Sequence, residues 1–437
     1  MATARNRSAP PTRRAVIVAG ARTPFVRAFG DFIAMSTIDL GATAVRGLLR
    51  KTDLPWAEID AVFWSGVILP SSTVNVGREI VLELGLPPTI EANTVTRACT
   101  SSVLSTTNAV AAIERGEVDV VIAGGSDSTS NAELKMPQTL MRKAAPVFMS
   151  KKATAADYFK LLGKLDLRAD LIPERPAVRE RATGELMGES CEKMAEMNGI
   201  TREAQDRLAV QSHHRAAAAA AAGRFVDEIV PVETKAGKRV LADNLVRADV
   251  TEAQMARLKP VFKRGGTLTA GNSSALTDGA AAVLLMSEEK ARALGYTPLA
   301  FVRSWSYGAV DPFDQLLIGP AFTMPLAVER AGLTLDEIDL VDIHEAFAAQ
   351  VLSVLKALGS AEFGKQRLGL EGAFGRIAPE SINVHGGSVA LGHPFAATGA
   401  RMLTTMANEL HQTKARHALL GLCAAGGLSA AVVLEKA

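Results

Sequence analysis

With 437 residues the chain exceeds what one hydrophobic core usually serves, so two or three domains are expected. Its 48 basic and 46 acidic side chains leave a formal charge of +2, too balanced to argue for nucleic acid as a partner. The three cysteines, Cys99, Cys191 and Cys423, make no disulfide framework and suit a reducing compartment; with no CxxC pair and no HExxH, no metal site is expected.

The first fourteen residues are basic, small and free of acids. They lack the apolar core of a secretory signal, so a flexible tail on a cytoplasmic protein is the reading, with a mitochondrial transit peptide and matrix location as the alternative. No stretch is apolar for long enough to span a membrane. Ala15 to Ala19 reads as a buried strand, a helix follows from about Ile38 to Arg50, and Ala61 to Trp64 is a second strand. Next comes the stretch 89–116. Its threonine- and isoleucine-rich start reads as a strand, and Val103, Leu104, Thr107, Val110 and Ala111 then recur at helical spacing, with Gly116 as a stop. Cys99 sits where that strand turns into the helix. Unpaired amides and the positive dipole end would lower its thiol pKa there. A small buried cysteine of the core is the other reading, and the stretch alone does not separate them.

Val118 to Ala123 makes another strand, ending at Gly124-Gly125, and the alternation implies a largely parallel sheet covered on both faces. From Asn131 to about Leu171 the chain turns rich in Met, Lys and Arg, as in a solvated insertion, a lid, or a patch touching a membrane or partner. Thr201 to Ala222 is an alanine-rich helix stopped by Gly223, on which His213 and His214 read as surface residues. Gly266 to Met286 is a small-residue loop running into a strand. The last third then repeats the first. Leu54 to Val62 reappears as Leu333 to Val341, and VDVVIAGG (118–125) as HALLGLCAAGG (417–427). Two diverged α/β copies, packed sheet against helix against sheet, are therefore expected. The domains would be 1–127 and 247–293 for the first copy, 128–246 for an insertion within it, and 294–437 for the second copy.

Three clusters in the second copy supply what a nucleophilic Cys99 would need: His344-Glu345 after a strand, His393 between Gly392 and Pro394, and Cys423 in CAAGG. Strand ends are where α/β sites assemble, and histidine is the side chain poised to take a thiol proton. At this point the sequence resembles the thiolases, acyltransferases that cleave or form a 3-ketoacyl-CoA. The likeness rests on ARTPF (21–25), RACTSS (97–102), VIAGG (121–125), TAGNSSALTDGAAA (269–282), HEAFAAQ (344–350), GGSVALGHPFAATGAR (386–401) and CAAGGLSAAVVLE (423–435). HEAF for the commoner NEAF, and CAAGG for CxGGG, look like the β-subunit branch of trifunctional β-oxidation complexes.

The resemblance implies a thiolase-like fold of helix, sheet, helix, sheet and helix layers, and it assigns roles. Cys99 would be the acyl-accepting nucleophile, His393 its base, and Cys423 the acid/base at the α-carbon. His344, where the family usually has asparagine, would polarise the thioester oxygen together with His393. The amides of Cys99 and Ala425 would form a second oxyanion hole, where each donor is worth roughly 2.7–4 kcal/mol. Arg247 and Ser274 match the adenine-side and pantetheine-side contacts to CoA. Coenzyme A and acyl-CoA would be substrates, with no cofactor. A homodimer or homotetramer, and a hydratase/dehydrogenase α-subunit, are the implied partners. The insertion would fold over the CoA and acyl entrance. Departures from the pattern are Thr96 for asparagine, Ser102 for glycine and Ala425 for glycine, and Cys191 matches no catalytic motif. Rival readings are an acetyl-CoA acetyltransferase making acetoacetyl-CoA, a decarboxylating ketoacyl synthase, against which Cys423 argues, and a silent lipid-binding or scaffolding subunit.

Overall fold

The computed structural model describes residues 13–166, 168–173 and 179–437. Most of the expected N-terminal tail lies outside the described residues. The described residues hold nine longer strands: β1 (Ala15–Arg22), β2 (Ala61–Ser65), β3 (Glu91–Val95), β4 (Val120–Ser128), β5 (Thr277–Ser287), β6 (Ala300–Ala309), β7 (Leu340–Ile343), β8 (His417–Ala424) and β9 (Leu428–Lys436). They form one mixed sheet in the order β7-β8-β9-β6-β1-β5-β4-β2-β3, with Val26–Arg27 as a short tenth strand on β5. β1, β4, β5 and β8 are buried along their whole length, which is why they read as unbroken apolar and small-residue runs.

The strand order carries the repeat. In the first copy the sequence across the sheet is β1-β5-β4-β2-β3, and in the second it is β6-β9-β8-β7: first strand, last strand, then inward. A counterpart of β3 is reduced in the second copy to a bridge between Val341 and Ile382. The two copies meet through only two paired positions, Val16 with Phe301 and Ile17 with Ala300. Hydrogen bonding is therefore continuous across a very short seam.

Helices complete five layers. On the outer face of the first copy lie α1 (Thr37–Thr52) and α2 (Val76–Glu83), burying Leu40, Leu48 and Ile80 with Trp64 and Leu284. Between the copies run α3 (Ser101–Glu114) and a later helix, Ala397–Gln412, whose Val103, Val110, Met402 and Met406 share a core with Val121, Leu285, Leu420 and Val432. On the far face, Pro320–Ala331 and Ala348–Leu358 bury Met324, Val351 and Val354 against Ile343, Leu419 and Val433.

Of the stretch read as an insertion, residues 132–179 form a compact unit of their own, with α4 (Gln138–Phe148) and α5 (Ala155–Leu162). Within it Phe148 meets Tyr158 edge-on at 5.4 Å, and Lys143 pairs with Asp170 at 2.7 Å. The rest of the stretch belongs to the main unit, including α6 (Met187–Met197) and α7 (Arg202–Ala221). Continuing that numbering, the helices of the second copy are α8 (Pro320–Ala331), α9 (Ala348–Leu358), the single turn α10 (Ser388–Leu391) and α11 (Ala397–Gln412).

The alanine tract of α7 is close-packed rather than neutral. A Cβ on Gly386 would lie 2.5 Å from the Ser212 carbonyl and 2.8 Å from Ala216, so only small residues let α7 approach the turn before α10. This approach also corrects one expectation: His213 is buried, not on the surface, and its Nδ1 accepts the Arg247 amide at 3.3 Å, while His214 is exposed. Burial holds the His213 imidazole down at about 4. Among the described residues no helix is long and apolar enough to cross a membrane.

Candidate active site

The turn from β3 into α3 is tight. Ala98 has φ 46°, a left-handed conformation that costs a non-glycine residue about 1–3 kcal/mol and sets Cys99 at the foot of α3. Ser101 holds the turn, its hydroxyl accepting the Arg97 amide at 2.7 Å and donating to the Ala98 carbonyl at 2.6 Å. The amides of Ala425 and of Cys99 itself both donate toward the Cys99 sulfur. That is the stabilising influence expected of a helix start. Burial outweighs it, and the thiol is pushed up to about 12 rather than lowered.

His393 faces this sulfur from the second copy. Gly392, at φ 99°, precedes it, and a Cβ there would sit 2.7 Å from Thr277 Oγ1, the atom that accepts the His393 amide. The ring is fixed by Nδ1 against Thr398 Oγ1 at 2.6 Å, where α11 begins. His344 follows β7, its amide donating to the Gly421 carbonyl at 2.8 Å and its Nδ1 lying 2.9 Å from Ser388 Oγ. The two rings are 4.2 Å apart between centroids, and the Nε2 of each is buried with no hydrogen-bond partner among the described residues. Cys99, His344 and His393 each offer a ligand atom within 4.8 Å of the other two, a thiol and two imidazoles that could also hold a metal ion.

Burial, with Arg401 nearby, holds His393 down at about 3 and His344 well below the ordinary imidazole range. Both rings are neutral at physiological pH. The cluster therefore starts as a neutral thiol beside neutral imidazoles, not as a thiolate–imidazolium pair. Iodoacetamide should still label Cys99 before Cys191 or Cys423, because Cys99 alone is partly exposed. Its rate should climb steadily with pH and show no plateau near neutrality. Mass mapping over a pH series checks both; earlier labelling of Cys191, or a neutral plateau, would contradict this arrangement.

Cys423 is the last residue but one of β8, at 1% exposure, and burial, then its neighbours Cys99 and Cys191, keep its thiol protonated. The turn after it takes positive φ at Gly426 and Gly427, and the Gly426 amide donates to Glu180 Oε2 at 2.7 Å. Ser274 donates both its amide and its hydroxyl to the Ala346 carbonyl at 3.0 Å, so it fastens the turn after His344. Arg247 lies on an exposed stretch, joined by its amide to His213. Cys191 is fully buried in α6.

The supporting contacts of several residues escaped the sequence reading, although Glu345 and Ser102 were named in it. Asp127 is buried at the end of β4 and accepts the amides of Val67, Ile68 and Ala396, so it ties the loop after β2 to the turn after His393. Burial pushes its carboxyl up to about 7. Glu345, also buried, accepts from Ser212, Asn383 and the Val389 amide, joining α7, the loop before α10 and α10 itself. Ser102, where the pattern has glycine, accepts the Ala400 amide at 2.8 Å, pinning α3 to α11. A Cβ on Gly399 would meet Val103 at 2.7 Å and Ser102 at 2.9 Å, so the helices cross at their closest there. The signal for Ser102, Glu345 and Gly399 was their place inside the motifs 97–102, 344–350 and 386–401, and Asp127 lies two residues beyond the motif 121–125.

Comparison with known proteins agrees with this architecture. The thiolase N-terminal domain matches residues 15–289 and the thiolase C-terminal domain residues 296–436. A 3-ketoacyl-CoA thiolase of Escherichia coli O157:H7 (strain EC4115 / EHEC) is 43% identical over 424 residues, 97% of each chain. One of Cronobacter sakazakii (strain ATCC BAA-894) is 44% identical over the same share of each. Among solved structures, human mitochondrial 3-ketoacyl-CoA thiolase in complex with CoA superposes with a TM-score of 0.83 at 29% identity, covering 98% of this chain and 99% of that one. The acetyl-CoA acetyltransferase of Bacillus anthracis gives 0.81 at 30% identity, over 98% and 100%. With both halves of the family pattern matched and relatives alike from end to end, this chain belongs to the thiolases, a family of acyltransferases.

Proposed function

We propose that the enzyme is a 3-ketoacyl-CoA thiolase, splitting a 3-ketoacyl-CoA with free CoA into acetyl-CoA and an acyl-CoA shortened by two carbons. The observation that carries this is the thiol placed within 4.8 Å of two neutral imidazoles, with a second buried thiol close by. Cys99 sulfur attacks the 3-keto carbon and passes its proton to His393 Nε2. The bond between C2 and C3 then breaks, its electron pair leaves on C2, and Cys423 protonates that carbon to give acetyl-CoA. Acyl-Cys99, a Cys423 thiolate and protonated His393 remain. Incoming CoA gives its thiol proton to Cys423 and attacks the acyl carbon, and the departing Cys99 sulfur recovers its proton from His393. Protons balance over the cycle.

The polarising donors differ between the two carbonyls. His344 and His393 Nε2 serve the thioester oxygen, and the amides of Cys99 and Ala425 serve the oxygen that forms on the attacked carbon. Arg247 and Ser274 are proposed for the CoA side on the motif match. HEAF and CAAGG support the trifunctional β-subunit branch, with a hydratase/dehydrogenase α-subunit and self-association through a dimer. The test is a chain-length series of 3-ketoacyl-CoA substrates, assayed with and without CoA. Consumption that depends on CoA and extends beyond four carbons is expected. Turnover of acetoacetyl-CoA alone would favour the acetyltransferase, loss of CO2 without CoA the synthase, and no turnover the silent subunit.

A further inference from the structure

Two adjacent neutral imidazoles must do opposite things at this site: His393 needs a lone pair on Nε2, and His344 needs a proton there. Nothing about a free imidazole enforces either. The surroundings of His344 do. Its Nδ1 meets Ser388 Oγ at 2.9 Å, and the same oxygen receives Arg401 Nη2 at 3.3 Å. A guanidinium only donates, so Ser388 accepts from Arg401. The Ser388 hydroxyl proton then has His344 Nδ1 as its one acceptor among the described residues. With Nδ1 accepting, the ring proton is on Nε2. His393 is held differently, against Thr398 Oγ1, a hydroxyl with no cationic donor behind it, so its Nδ1–H can donate and its Nε2 stays open.

We propose that Arg401 and Ser388 are positioning residues that lock His344 in the Nε2–H tautomer, and so keep two neighbouring histidines in opposite roles as hydrogen-bond donor and base. The burial of Arg401 fits that purpose better than a plain structural ion pair. It is 1% exposed, and among the described residues its Nε and Nη1 have no hydrogen-bond partner and its nearest carboxylate, Asp342, is 3.6 Å away with one oxygen unpaired. Such a cation is costly to keep in a core. Its positive charge also helps to hold both rings neutral, so that tautomer rather than charge decides what each Nε2 presents. Ser388 lies at the start of α10 and Arg401 in α11, so the lock joins the two elements that flank His393.

The inference rests on His344 serving as a donor to the substrate oxygen, and the experiment separates the two. Nitrogen-15 imidazole spectra of the whole enzyme at neutral pH, assigned with His344→Asn, should show His344 with a pyrrole-type Nε2 and a pyridine-type Nδ1. The reverse pattern, or an averaged signal, overturns the lock whatever the kinetics show. Ser388→Ala should average the His344 signals and lower kcat about tenfold to a hundredfold with KM nearly unchanged, and Ser388→Thr should restore both. An asparagine presents its N–H without any tautomer to choose, so in a His344→Asn background the Ser388→Ala change should cost no more than about twofold. Equal losses in both backgrounds would make Ser388 merely structural and overturn the inference. A fully active His344→Ala enzyme would instead remove the donor role of His344, a failure of the functional reading that the spectra register separately.

Discussion

Cys423→Ser is expected to lower CoA-dependent cleavage of a 3-ketoacyl-CoA by about 10²–10⁴-fold while leaving part of the acyl exchange between CoA molecules. A hydroxyl is a far weaker acid than a thiol, so the substituted side chain cannot give a proton to C2 and hold the charge left behind. On the proposed cycle, exchange of a simple acyl group needs no proton at that carbon; it calls on Cys423 only to carry the proton of the CoA thiol, a task that solvent takes over in part. Cys99→Ser should abolish both reactions, because the acyl acceptor itself is lost. Radiolabelled CoA exchange, run beside the cleavage assay on both variants, reads the two patterns. Near-normal cleavage by Cys423→Ser would remove that residue from the mechanism.

His393→Ala is the second large effect, and its pH dependence is more telling than its size. The Cys99 thiol stands at about 12, so at neutral pH little thiolate forms without a base. Burial holds His393 down at about 3, so its Nε2 keeps a free lone pair over the useful range and can take the thiol proton as the new C–S bond forms. Without it, cleavage should fall by about 10²–10⁴-fold at pH 7. The residual rate should then rise about tenfold for each pH unit, as solvent hydroxide takes over the deprotonation. Measuring kcat/KM of the variant from pH 7 to 10 tests this. A flat profile would mean that the thiolate forms unaided, and that the site is an ion pair after all.

The proposed reacting side chains were legible because motif chemistry survives without any knowledge of packing: Cys423 and His344 lie at strand ends, and Cys99 and His393 in the turns before two helices. The sign of the Cys99 shift was not. A helix start and a buried pocket act in opposite directions, and a sequence shows the first while hiding the second. His213 was misplaced for a related reason. Beyond Leu208, the buried side of α7 is built from small and polar residues, Ala209, Ser212, Ala216 and Ala219 among them, so around His213 its face could not be told from the exposed one. The repeat was visible in two short matched segments, yet the seam at Val16 and Ile17 involves so few pairs that no pattern marks it. Ser388 and Arg401 lie within one recognised motif, but thirteen residues apart, and only folding brings the hydroxyl to His344.

The seam also decides what each copy is able to do. Cys99 opens α3 in the first copy, and His393 stands at the corresponding place before α11 in the second, with the two helices crossed at Ser102 and Gly399. On the proposed roles, one repeat keeps the acyl acceptor and its own amide as a donor, and its twin keeps both proton carriers and the remaining donors. On those roles, a fragment stopping at residue 289 would hold the proposed nucleophile with no base, and one starting at 296 the proposed base with nothing to activate. Such a centre cannot be inherited by halves. Any change of angle between the repeats reaches the reacting atoms directly, so drift in either copy is answerable to the other.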